Sequence, residues 1–149
     1  MSGREQVVEI LREWVVKTEH DLLAASHLLG LGTEAPTDTI CFHAQQCIEK
    51  YMKAVLIAEG TDFRKTHDVD ILLLQLPRSK RPNLTEAEIS TLTDYAVGPR
   101  YPGFDDLTIA EARRAVALAR RIRRELRRHL PRAAKTPASL RPELRSRHS

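Results

Sequence analysis

Residues 42–60 read FHAQQCIEKYMKAVLIAEG, and with the few residues before them they decide the fold. Apolar side chains at Ile40, Cys41, Ala44, Cys47, Ile48, Tyr51, Met52, Val55 and Leu56 recur at steps of three and four, the spacing of one face of an α-helix. Thr37 and Asp38 offer N-cap oxygens and Gly60 a C-terminal stop, which predicts a helix over residues 37–59. Beside the apolar face, His43, Gln46, Lys50 and Lys53 fall at helical steps and form a polar stripe.

The rest of the chain supplies helices to pack against this one. Val7, Val8, Leu11, Trp14, Val15, Leu22, Ala25 and Leu29 predict a first helix over residues 4–29, stopped by Gly30 and Gly32. A short helix over 68–76 ends at Pro77, with Thr66 or Asp68 as its cap. Residues 85–96 begin with a capping box, Thr85 and Glu88 standing three apart. Gly98, Pro99, Pro102 and Gly103 then exclude a helix. A last helix over 108–130 carries Ala112, Ala115, Ala119, Ile122 and Leu126 on one face and arginines on the other. No segment alternates as a strand does. The expected fold is all-α, an up-and-down bundle of four to five antiparallel helices over residues 1–130, with a basic, disordered tail over 131–149.

Composition narrows the function classes. The 149 residues are 42% hydrophobic and 5% aromatic, so the core is built from aliphatic side chains. No apolar run reaches the roughly 20 residues that cross a bilayer, and residues 1–14 have no secretory leader pattern; a cytoplasmic protein is expected. Cys41 and Cys47 are about 600° of helical rotation apart, face differently and are expected to be buried thiols rather than a disulfide. Residues 1–112 hold 11 Lys+Arg against 18 Asp+Glu, and residues 113–149 hold 13 against 2. The basic end suits RNA or an acidic partner, and equally a solvated helix face and tail. Phosphate-loop, zinc-protease and serine-hydrolase motifs are absent, and neither a metal nor a cofactor is expected.

The 42–60 helix, the His67-Asp68 pair in KTHDVDILL, the loop YAVGPRYPGF and the helix EARRAVALARRI occur in the order and spacing of the HEPN domain (higher eukaryotes and prokaryotes nucleotide-binding), which the chain resembles over about residues 5–130. The resemblance implies a helical bundle that dimerises and is encoded beside, or fused to, a minimal nucleotidyltransferase. Several branches of that family are metal-independent endoribonucleases with an arginine followed four to six residues later by a histidine. Arg100 lies at the matching loop, but Asp105, Asp106 and Leu107 stand where the histidine would fall. Arg124 and His129 have the spacing but lie outside that loop.

The residues singled out for nucleotide or phosphate binding are His43, Gln46, Lys50, Lys53, His67, Arg100 and Tyr101. Two ammonium groups would supply charge, His43 and Gln46 hydrogen bonds, and the proline-bracketed loop a guanidinium and a ring. Each has a plainer reading. The stripe is a solvated or dimer-facing surface with an exposed Glu49–Lys53 pair, Asp68 caps a helix beside His67, and Arg100 pairs with Asp94 or Asp105 while Tyr101 packs on the bundle. Three functions follow: a nucleotide-binding homodimeric partner of a minimal nucleotidyltransferase in a toxin–antitoxin-like pair, an endoribonuclease using Arg100 with an unconventional partner, or a structural dimerisation module.

Overall fold

Six α-helices form in the computed structural model, which describes residues 2–63, 65–66, 68–98 and 107–136. They are α1 (Gly3–Leu29), α2 (Thr37–Ala58), α3 (Val69–Gln75), α4 (Glu86–Val97), α5 (Ile109–Arg127) and α6 (Arg132–Lys135). Single 3-10 turns at Gly32–Glu34 and Arg78–Lys80 join some of them, and no strand occurs among the described residues.

The helix ends follow side-chain chemistry. Ser2 caps α1 by accepting from the Glu5 amide, and Thr108 caps α5 by accepting from that of Glu111. Thr85 and Glu88 close the expected capping box on α4. The Thr85 backbone N–H, with help from Arg121, holds the Glu88 carboxyl below its usual range. At the end of α2, Gly60 adopts φ +73°. It lets Thr61 donate to Leu56 and Gly60 to Ile57, a Schellman closure. Two expected caps are corrected. Pro36, not Thr37 or Asp38, occupies the N-cap of α2, because Thr37 is already the first helical residue. Asp68 holds the N-cap position of α3 without a side-chain bond; its own amide donates to Thr66 instead.

α2 is the axis of the bundle. Between Ile40 and Ile57 every residue is buried except Phe42, His43, Gln46, Lys50, Lys53 and Ile57. Thr18 on α1 donates to the Cys47 carbonyl at 2.7 Å and Asp21 meets His43, so α1 runs antiparallel to α2. α5 runs parallel to α2: Tyr51 meets Arg127, while Cys41, a helical stretch earlier, feels Glu111. α4 runs against α5, with Glu88 on Arg121 and the Asn83 amide on Glu125. The long helices therefore alternate up and down as expected. All five apolar positions named on α5 are buried, as are all nine on α2. α1 differs: Val7 is exposed and Trp14 only half-buried, because the stripe is wider than the surface α2 offers it.

The bundle also reaches beyond Leu130. Residues 132–135 form α6 against α1, where Arg12 donates to the Ala133 carbonyl at 3.0 Å and Ala134 is buried. This turn follows the boundary expected at residue 130, and its two alanines seat it on α1. Residues 137–149 of the expected tail lie outside the described residues.

Both cysteines are free and buried, as the spacing predicts. Burial pushes the Cys41 thiol up to about 11, against a hydrogen bond to Tyr95, and the Cys47 thiol up to about 12, against one to Thr18. The native thiols keep protons that an unfolded chain loses near pH 8.5. Their contribution to stability is complete below that pH and is lost as the pH rises through 11 to 12. Two outcomes are expected. A thiol reagent at pH 8 labels neither cysteine until denaturant is added, and the urea midpoint falls between pH 8 and 10.5 by less in Cys47→Ala than in the parent.

Candidate functional site

Along the middle of α2 the polar stripe is the strip that solvent reaches, and two buried carboxylates lie beneath it. The first is Asp21 of α1. It accepts from Lys50 Nζ at 2.6 Å through Oδ2 and from His43 Nδ1 at 2.8 Å through Oδ1. Its own exposure is 8%. With Nδ1–H directed at the Asp21 carboxylate, the acceptor lone pair of the matching neutral tautomer lies on Nε2.

The second carboxylate is Glu49, one helical turn from Gln45 and Lys53. It accepts from Lys53 at 2.8 Å, Gln45 at 3.1 Å and Gln46 at 3.1 Å, and Gln46 also donates to the Gln45 carbonyl oxygen at 2.7 Å. Glu49 is 1% exposed, so the Glu49–Lys53 pair expected on the surface is a buried one. The outer side of Lys53 lies over the Phe63 ring, 5.4 Å from its centroid.

The four stripe residues on α2 are therefore brought together, but each ammonium already has a carboxylate. His67, Arg100 and Tyr101 lie outside the described residues. Arg124 is exposed near the end of α5. His129 sits beyond it, half-buried, its pKa lowered by burial and by Arg128 and Lys80 against the opposing pull of Glu59. No group of three metal-ligating side chains occurs among the described residues.

Three features escaped the sequence reading. Asp21 and Glu49 are the pivots of the site; the signal for Glu49 was the set of polar residues one turn either side of it, Gln45, Gln46 and Lys53. Trp14, half-buried against the edge of the core, also lines a groove with Glu13, Lys17 and Lys50. On the far side of α1, Glu19 accepts from Tyr51 at 2.5 Å and from Arg123 and Arg127 at 2.8 Å each. That cluster turns part of the arginine-rich face of α5 inward. Burial and the Glu19 carboxylate raise the Tyr51 pKa, so the hydroxyl stays a donor.

Removing one partner of a buried pair leaves the other charge without compensation. Glu49→Ala is expected to cost about 3 kcal/mol in urea unfolding, because Lys53 and two glutamines lose their acceptor. Asp70→Ala, on the exposed face of α3, is expected to cost less than about 0.5 kcal/mol.

Comparison with known proteins follows the same lines. Residues 11–129 match the HEPN domain. A protein named "Putative toxin MJ1304" from Methanocaldococcus jannaschii is 33% identical over 103 residues, 64% of this chain. The match spans 65% of that relative, a little under two-thirds of its length. The crystal structure of TT1696 from Thermus thermophilus superposes with a TM-score of 0.66 at 27% identity, covering 80% of this chain and 98% of that one.

Proposed function

Because the chain belongs to the HEPN domain family, we propose that it is one member of a toxin–antitoxin-like pair: a homodimer that binds a nucleotide beside α2 and partners a minimal nucleotidyltransferase. The observation that carries this reading is the similarity to the named toxin from M. jannaschii within a match that runs through most of the bundle. The open strip of α2 supports the nucleotide part, because it sets hydrogen-bonding groups on a rigid, fully packed helix. None of the described helices is long and apolar enough to cross a membrane.

Metal-independent RNA cleavage needs a base for the attacking 2′-hydroxyl and an acid for the leaving oxygen. The loop after Arg100 carries no histidine at residues 105–107, so the usual second group is missing from the sequence. The reading is accordingly a partner without the usual nuclease pair. One observation favours the endoribonuclease reading as the alternative: His43, oriented by Asp21 at 2.8 Å, is built as a general base would be.

The two readings separate experimentally. Under the partner reading, the full-length protein elutes as a dimer by light scattering and co-purifies with a minimal nucleotidyltransferase encoded beside its gene. It also leaves tRNA and mRNA intact. A monomer that retains no such enzyme would count against it. Cleavage that is lost in both Arg100→Ala and His43→Ala would replace it with the nuclease reading.

A further inference from the structure

The polar stripe is a poor place for a phosphate, and that fact directs attention to its edge. Lys50 and Lys53 are held by Asp21 and Glu49, so an incoming anion would meet two carboxylates beneath the ammoniums. Next to Lys50, α1 and α2 flank an open surface groove of about 290 Å³ lined by Glu13, Trp14, Lys17 and Lys50. Its size falls just below the roughly 300–1,000 Å³ of small-molecule pockets, which suits a single base laid against a surface rather than a whole buried ligand. Lys17 and Glu13 are exposed and make no hydrogen bond or ion pair among the described residues. Lys17 stands one helical turn from Glu13 on α1, so the lip carries a cation and a carboxylate side by side, neither tied down by a bond to the bundle.

Trp14 is held as a platform. The Phe63 ring meets it edge-on, centroids 5.7 Å apart at 85°, and Phe63 is in turn covered by Lys53. A ring fixed by its neighbours loses little freedom when a second ring stacks on it.

The geometry points to a nucleobase-stacking site at this groove: the base lies on Trp14, its phosphate is met by Lys17, and Glu13 accepts from an exocyclic amine. The ligand is a nucleotide whose base bears an amino group, an adenine rather than a uracil. This assignment rests on the nucleotide-binding reading above and moves the contact from the neutralised stripe to α1. A free mononucleotide and the end of an RNA strand present the same chemistry.

Trp14 is the single tryptophan of the chain, so its emission reports the surroundings of this one ring. Full-length protein is titrated with AMP, UMP, inorganic phosphate and a 5′-phosphorylated tetraadenylate, with calorimetry run in parallel. The expected result is saturable quenching by AMP, weaker quenching by UMP and none by phosphate. Tetraadenylate binding tighter than AMP would identify the strand end as the source, and equal or weaker binding the free nucleotide. Lys17→Ala, an exposed substitution that leaves the fold intact by circular dichroism, weakens AMP binding about tenfold. Heat of AMP binding with unchanged Trp14 emission and an unaffected Lys17→Ala would overturn the groove assignment while the nucleotide reading stands. Neither heat nor quenching with any nucleotide would remove both.

Discussion

The bundle depends on the burial of α2. A helix enclosed on every side but one must satisfy each polar group it carries, and α2 carries Gln45 and Glu49 into the interior together with a stripe that borders it. An isolated carboxylate at 1% exposure would cost more than one helix gains by packing. Gln45, Gln46 and Lys53 of α2 itself donate to Glu49 and offset that cost. Asp21 is handled the other way: it lies on α1 and its donors on α2, so its satisfaction fixes how the two helices meet. Together with Thr18 on the Cys47 carbonyl, it ties α1 to α2 at one rotation and one height.

The same principle explains how a chain with so uneven a charge distribution stays assembled. The arginines of α5 are not simply solvated. Arg121 reaches Glu88 and the Asn83 carbonyl on the α4 side, while Arg123 and Arg127 reach Glu19 on the α1 side. The acidic body and the basic last helix are complementary surfaces of one bundle. These bonds are partly exposed and individually modest. Their placement on both flanks of α5 gives the small apolar face of that helix, mostly alanine, a fixed orientation on α2.

Much of this was legible in the sequence, for a physical reason. Apolar spacing and capping are local, so the faces of α2 and α5, the Thr85–Glu88 box and the Gly60 stop are read correctly from neighbours within one turn. What was illegible is what depends on distant partners. Whether Glu49 is exposed is decided by the helices that close over it, and whether Trp14 is covered by which face of α1 turns toward α2. The docking of α6 was hidden because its four residues, RAAK, have the composition of the tail that follows. The site was legible as a stripe of residues but not as an electrostatic object, since one carboxylate stands 29 positions away from its lysine and the burial of the other depends on the helices packed over it.

That distinction bears on what the α2 face can do. A row of free ammoniums would attract any polyanion. A row whose ammoniums are each spent on a buried carboxylate is nearly neutral and instead presents oriented hydrogen-bonding groups, His43 Nε2 foremost. Selectivity on such a face comes from geometry and from groups at its margin, where Lys17 adds the charge and Trp14 the apolar surface. The carboxylates that allow α2 to be buried are thus the ones that set the chemistry of its exposed side. A substitution at Asp21 or Glu49 would change both at once, which makes the exposed margin on α1 the place where binding can be altered without disturbing the fold.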